Sequence, residues 1–146
     1  MSEKLDDLSI ALFSELFMAD QLARSLMDKT LPKGMELSHF SVLNHLSYSK
    51  SERTPAQLAK TFHVTRGAMT NTLSKLEIAG HVHIRPDWDD ARRKLVSISP
   101  AGAQACEQAF AEIAPALSKI VNAIGPDKAR NALPILRSLR ECLDEL

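Results

Sequence analysis

The sequence contains few of the features that define several large protein classes. Its 146 residues include two cysteines, Cys106 and Cys142, which provide neither a disulfide framework nor the spacing of a metal site. No apolar run approaches the roughly 20 residues that span a bilayer. The N-terminal segment is too acidic for a signal or transit peptide. We therefore expect no membrane association and no bound metal, and a reducing cytoplasm as the compartment.

Catalytic signatures are missing as well. No serine, cysteine or carboxylate pair stands in a recognisable catalytic frame, and none of the five glycines belongs to a phosphate-binding loop. The sequence therefore predicts a protein that is not an enzyme and has no cofactor.

The net charge of zero taken alone argues mildly against nucleic acid as a partner. The charges are unevenly distributed, however. Residues 53–94 carry eight basic and four acidic side chains, whereas acidic residues outnumber basic ones before and after this segment. A basic centre predicts that the middle of the chain faces phosphates.

Long amphipathic helices are predicted at both ends of the chain. Apolar residues recur at three-and-four spacing from about Leu5 to Leu31. Ser99 is a suitable N-cap for a long fifth helix with Pro100 at its first position, and a sixth helix follows the break at Gly125. The apolar faces of these helices are wider than one small core requires, which favours a dimer.

Three shorter helices and two strands are predicted between these ends. Ser38, Thr54 and Thr65 are the expected N-caps, and a three-residue turn, residues 63–65, joins the third and fourth helices. The periodicity then changes to two, which predicts a β-hairpin whose polar tip spans residues 86–93.

Two helices joined by a short turn and followed by a charged hairpin are typical of a winged helix-turn-helix. The predicted fold is accordingly mainly α, with a two-stranded β wing, in a single domain over residues 1–146. Residues 36–99 form the winged helix-turn-helix, and residues 1–35 and 100–146 form the dimerisation helices.

The outer face of the fourth helix is short and polar, so it fits the major groove of DNA. Arginine on this face can bind guanine, and asparagine can bind adenine. The N-terminal end of the third helix is better placed to contact phosphates. An ordinary solvated helix face is the alternative. The predicted DNA contacts on these two helices are Thr54, Gln57, Thr65, Arg66, Gly67, Thr70, Asn71, Ser74 and Lys75.

The wing is predicted to supply a second DNA contact. Arg92 and Arg93 can reach the minor groove, whose negative potential attracts guanidinium groups. Asp90 can hold Arg92 in an extended pose through a charge-assisted hydrogen bond. A merely solubilising loop is the alternative. Trp88 either stacks on a sugar or anchors the loop.

Four segments together resemble the MarR-type regulators. Residues 90–102 are similar to the wing motif of that family, residues 37–43 to its second-helix signature, and residues 54–59 and 76–82 to its helix-turn-helix landmarks. The resemblance implies a homodimer that binds pseudo-palindromic double-stranded DNA with half-sites about 10 bp apart. It also implies a repressor, with a small aromatic or phenolic effector that releases the DNA.

An effector pocket, if this chain has one, is expected between the first, second and fifth helices. His39 would be a polar group among apolar neighbours there, able to meet a carboxylate or a phenol. Ordinary core packing is the alternative for the whole set. The candidate lining residues are Phe13, Phe17, His39, Leu43 and Phe110.

Other functions of the same fold stay open. Cys106 or Cys142 could act as a redox switch, although both fit the role of small buried hydrophobes. His81 and His83 share a strand face, but two ligands are too few for zinc sensing. A winged helix used only for protein interaction would expose an apolar patch rather than arginines.

Overall fold

The computed structural model describes residues 2–146. Over this range the chain forms six helices and one β-hairpin, which confirms the predicted mainly helical winged-helix fold with a two-stranded wing. No helix within the described range is both long enough and apolar enough to cross a membrane. The elements are α1 Ser2–Thr30, α2 Leu37–Ser49, α3 Pro55–Thr61, α4 Arg66–Ile78, β1 Val82–Asp87, β2 Asp90–Ile98, α5 Pro100–Ile124 and α6 Pro126–Asp144.

The core lies inside the winged helix-turn-helix. Helix α2 is at its centre and contacts α1, α4, α5 and β2. Burial of the apolar face of α2 against these elements stabilises the fold. The largest fully buried side chains are Val42, Leu43, Leu46, Leu58, Leu73 and Val96.

The terminal helices, by contrast, expose much of their apolar surface. Helix α6 buries no side chain, and no residue from 4 to 25 of α1 is buried. This agrees with the prediction that these helices have more apolar surface than one chain can cover. Exposed large apolar side chains on α1, α5 and α6 include Leu5, Leu8, Ile10, Phe17, Phe110, Ile120, Ile124, Leu133, Ile135 and Leu136.

Side-chain caps define where the central helices begin. Thr54 and Gln57 form a capping box at α3, in which each side chain accepts a hydrogen bond from the other residue's backbone N–H, at 3.1 and 2.9 Å. Thr65 Oγ1 accepts from Ala68 N at 3.1 Å and caps α4 as predicted. These local polar residues explain why α3 and α4 start where they do.

The predicted cap of α2 is wrong. The N-cap is Glu36, and its backbone N–H donates to Nδ1 of His39 at 3.1 Å, whereas Ser38 lies within the helix. Histidine here takes the place that glutamate or glutamine occupies in the usual capping box, so the motif has no ordinary sequence signature.

The hairpin strands are longer than predicted. Residues 86–93 were expected to form a polar tip, but the strands extend to Asp87 and start again at Asp90, which leaves a two-residue turn. Pairing is regular from Val82↔Ile98 to Pro86↔Lys94 and then becomes irregular. Polar residues can remain in strand conformation because this end of the wing is solvated and needs no apolar alternation.

An isolated β-bridge joins the wing to the segment before α3. Arg53, which precedes α3, exchanges two backbone hydrogen bonds with Val96 of β2, at 3.0 and 2.7 Å. One bridging residue carries no periodicity, so the sequence did not predict this contact. It ties the start of α3 to the base of the wing.

The segment that follows α4 packs closely against the start of α5. The Ser99 hydroxyl donates to the carbonyl of Gly80 at 2.6 Å and accepts from the backbone N–H of Gly102 at 2.9 Å. Gly102 packs directly against the backbone carbonyl of His81, where a Cβ would collide. Glycine is therefore required at position 102 by this close approach.

Candidate nucleic-acid interface

Helix α4 has one apolar and one polar face. Met69, Leu73 and Leu76 are buried in the core, and this three-and-four spacing directs the intervening residues outward. The exposed face carries a guanidinium, an amide, two hydroxyls and an ammonium group. All six predicted groove-facing residues of this helix are exposed, namely Arg66, Gly67, Thr70, Asn71, Ser74 and Lys75.

The two predicted contacts at the start of α3 differ in exposure. Thr54 is only 7% exposed and its hydroxyl accepts the capping hydrogen bond, so its position does not support the predicted phosphate contact. Gln57 is exposed, and its side-chain oxygen accepts from Thr54 N. Its amide NH₂ group is the part that can donate to a phosphate. Thr65 is exposed although its hydroxyl oxygen caps α4.

Arg92 on the wing has the geometry that the sequence predicts. Its Nε donates to Asp90 Oδ1 at 3.1 Å and its Nη2 donates to Oδ2 at 3.3 Å, while its backbone N–H also donates to Oδ1. The Arg92 side chain is nevertheless 90% exposed. Asp90 thus restricts the guanidinium to one direction while leaving it accessible, which lowers the entropy lost on binding.

Arg93 is held differently from Arg92. Its Nη2 and Nε donate to Asp87 Oδ2 at 2.8 and 3.2 Å, and Asp87 is only 7% exposed. This pairing holds the guanidinium on the wing, but the Arg93 side chain is still 56% exposed, so the minor-groove contact stays a prediction. Sequence reasoning missed Asp87, whose only signal is its place before a two-residue turn in an antiparallel hairpin.

The carboxyl groups of Asp87 and Asp90 have lowered pKa values. The hydrogen bonds from Arg93 hold the pKa of Asp87 below its usual value, and those from Arg92 do the same for Asp90. Because the pKa values of Asp87 and Asp90 are lowered in the folded state, their ion pairs with Arg93 and Arg92 stabilise the wing at any pH above about 3.9, the pKa of an aspartate in the unfolded chain. That contribution is lost only as the pH falls below this value, so the wing stays intact at neutral pH.

The five residues predicted to line an effector pocket do not meet in one cavity. Leu43 is completely buried in the core. Phe13 and Phe17 pack on each other along α1, with ring centroids 5.9 Å apart. Phe110 borders a groove between α2 and α5, and His39 lines a separate cavity of about 610 Å³. Three-and-four spacing identified apolar faces, but it did not show which faces converge.

His39 is the buried titratable group in this region. Burial lowers its pKa, and the nearby Lys75 and His81 lower it further, against the opposing effect of Glu36. The imidazole is therefore neutral at pH 7, where its Nδ1 can accept the Glu36 N–H.

This lowered pKa predicts a pH-dependent stability. Because the unfolded chain binds a proton on His39 at about pH 6.5 and the folded chain does not, acidification below that value favours unfolding. We expect His39→Gln to remove this part of the pH dependence, since glutamine keeps the acceptor that Gln57 provides in the same position at α3. Urea unfolding of both proteins at pH 7.5 and 5.5 measures the difference. Parallel losses of stability in the two proteins would contradict the assignment to His39.

The structure gives little support to the alternatives of a cysteine redox switch and a zinc sensor. Cys106 is buried, and burial together with Glu107 raises the pKa of its thiol, which disfavours the reactive thiolate. Cys142 is exposed on α6. Within residues 2–146, no group of three or more histidine, cysteine or carboxylate side chains is arranged to hold a metal ion.

Known proteins share this arrangement. The model of the MarR family matches residues 33–93, which extend from just before α2 to Arg93. The multiple antibiotic resistance protein MarR of Salmonella typhimurium is 32% identical over 94 residues, which cover 64% of this chain and 65% of that protein. A mutant of MarR from E. coli complexed with operator DNA has a TM-score of 0.79 at 26% identity, covering 89% of this chain and 94% of that one.

The chain is similar to the MarR family in sequence over its winged helix-turn-helix and in fold over most of its length. A MarR family transcriptional regulator from Streptomyces coelicolor has the same fold, with a TM-score of 0.81 at 24% identity over 94% of this chain and 96% of that one. The sequence match spans slightly less than two thirds of the Salmonella MarR protein, whereas the structural match to E. coli MarR includes the terminal helices.

Proposed function

We propose that this chain is a member of the MarR family and a sequence-specific regulator of transcription that binds double-stranded DNA. One observation carries the proposal: the exposed polar face of α4 and the Asp90-oriented Arg92 belong to one winged helix-turn-helix. A helix fits the major groove, and an extended guanidinium fits the narrower minor groove. The E. coli MarR structure with operator DNA supports the same use of this fold.

The proposed functional unit is a homodimer. A single chain leaves the apolar faces of α1, α5 and α6 exposed to water, which is unfavourable in proportion to the apolar area. A two-fold axis through these helices pairs the same surface of both copies. It also places two α4 helices on half-sites about one DNA turn apart, on a pseudo-palindromic operator. The site of action is proposed to be the cytoplasm.

Repression and release by a ligand complete the proposal. A dimer bound at an operator blocks transcription until an effector lowers the affinity of the dimer for DNA. A small aromatic or phenolic ligand can do so only if it binds the DNA-free form more tightly. The cavity beside His39 supports this step, because it also contacts Lys75 and Leu76 of the DNA-facing helix.

Binding to selected DNA tests the function. A pool of random duplexes is enriched on the purified protein, and the enriched site is compared with a scrambled duplex by fluorescence anisotropy at about 50 and 200 mM salt. We expect tight binding to the enriched site, weaker binding to the scramble, and a fall with salt for both. Sedimentation of the same sample is expected to show a dimer.

Other results would contradict the proposal. Enrichment of no sequence, with equal weak binding to all duplexes, would leave a general DNA-binding protein rather than a regulator. No binding to any duplex would favour a winged helix used for protein interaction. A stable monomer would contradict the role assigned to the terminal helices.

A further inference from the structure

The wing ends in an exposed aromatic side chain that the proposed function does not yet use. Trp88 is the only tryptophan in the chain and occupies the first position of the two-residue turn between β1 and β2. Its side chain is 78% exposed. Most other exposed large apolar residues lie on α1, α5 and α6, whereas Trp88 is on the wing, which also carries Arg92. Trp88 thus lies apart from the exposed apolar surfaces of the terminal helices.

The indole of Trp88 contacts an arginine that is itself held in an ion pair. The guanidinium carbon of Arg85 lies 5.5 Å from the centroid of the Trp88 ring, which is the range of a cation–π contact. Glu52, in the segment before α3, accepts two hydrogen bonds from Arg85, at 2.6 and 2.9 Å. Glu52 and Arg85 thus connect the indole to the helix-turn-helix and restrict its motion, which lowers the entropic cost of a contact made by this ring.

We propose that Trp88 is a second wing contact to DNA, packing its indole against a deoxyribose of the backbone beside the minor groove. The inference rests on the proposed function and extends it. An indole offers a flat apolar surface and one N–H donor but no acceptor. A deoxyribose offers apolar C–H groups, and the adjoining phosphate offers only acceptors. Arg92 on the same wing is paired with Asp90 but stays 90% exposed, so its guanidinium keeps N–H groups that can donate to the adjoining phosphate.

Stacking on a base is a poorer fit for the same side chain. In a duplex, both faces of each base are covered by neighbouring bases, and opening a step costs a few kcal/mol. A sugar is accessible from the outside without any such distortion. Trp88 is therefore assigned to the backbone.

A backbone contact has a distinctive consequence. Sugars and phosphates carry no direct sequence information, so the indole adds affinity for every duplex alike. Discrimination between sequences is left to base-facing side chains such as Arg66 and Asn71 on α4. Loss of Trp88 is expected to lower the affinity for the enriched and the scrambled duplex by the same factor.

Intrinsic fluorescence tests the contact directly. Because Trp88 is the only tryptophan, every change in tryptophan emission reports on the wing tip. Titration of the wild-type homodimer with unlabelled duplex is expected to change the tryptophan emission and to protect the indole from quenching by acrylamide. The midpoint of this emission change is expected to equal the midpoint of DNA binding measured by anisotropy. Trp88→Ala is expected to bind both duplexes roughly threefold to tenfold more weakly than the wild type. Trp88→Phe is expected to bind with an affinity between those of the wild type and Trp88→Ala. Circular dichroism and sedimentation of the variants check that fold and dimer are retained.

The outcomes separate this inference from the function on which it rests. Anisotropy that reports DNA binding while emission and the affinity of Trp88→Ala stay unchanged would overturn the Trp88 contact alone. An affinity loss confined to the enriched site would show base readout and would also overturn the backbone assignment. If no duplex binds to the wild-type protein, the proposed function and this inference both fail.

Discussion

Replacement of Arg92 by alanine is expected to weaken binding to the enriched DNA site by about 1–3 kcal/mol, or roughly 5- to 150-fold in Kd. The reason is that Arg92 combines high exposure with a fixed direction. Asp90 holds the guanidinium through two side-chain hydrogen bonds, yet the side chain remains 90% exposed. Anisotropy titrations of both proteins at one salt concentration measure the effect.

Two further variants show what the loss means. Arg130→Ala removes the same charge from α6, where Arg130 pairs with Asp127 at 2.7 Å, and it is expected to bind DNA like the wild type. Arg92→Lys keeps the charge but lacks the planar fork that Asp90 orients, and it is expected to bind with intermediate affinity. An Arg92→Ala protein that binds as tightly as the wild type would refute the wing assignment. One that unfolds would instead assign Arg92 to the structure of the wing.

Replacement of Gly102 by alanine is expected to destabilise the protein by about 1–3 kcal/mol. The added Cβ would overlap the backbone carbonyl of His81 and approach the side chain of Ile98. That carbonyl cannot move freely, because it accepts the backbone N–H of Ser99 at 3.0 Å within the junction of α4 and α5. Urea unfolding at a fixed protein concentration measures the change, since the stability of a dimer depends on concentration.

Gly67→Ala is the matched control for this substitution. Gly67 also lies in a helix, but nothing is within 4 Å of the Cβ that alanine would add. Alanine is expected to stabilise the folded chain there by up to about 1 kcal/mol, because it reduces the entropy of the unfolded chain and favours the helix. The two variants are thus expected to change stability in opposite directions. Equal destabilisation of both would show that close packing against His81 is not what requires Gly102.

Local patterns in the sequence were sufficient for most of the secondary structure. The capping residues Thr54, Thr65 and Ser99 each act within their own helix turn, and all three were predicted correctly. Asp90 and Arg92 are two residues apart, so their hydrogen bond was also predictable. These features depend on neighbours along the chain, which a single sequence displays directly.

The errors have a different origin. Polar composition was taken to indicate a loop at residues 86–93, although a solvated hairpin needs no apolar alternation to stay in strand conformation. The effector-pocket residues were grouped by helical spacing, which shows that Phe13, Phe17 and Phe110 lie on apolar faces but not which faces meet. Only the packing of α1, α2 and α5 separates them.

The sequence by itself therefore determined the helices, most of their caps, the polar face of α4 and the oriented Arg92, because periodicity and short-range hydrogen bonds are local. The tertiary structure decided that Asp87 forms an ion pair with Arg93 and that Arg53 pairs with Val96. It also decided that Glu52 reaches Arg85, 33 residues away, behind the indole of Trp88. Such pairs form only when the folded backbone brings distant residues together, and neither residue of a pair indicates its partner by type or spacing.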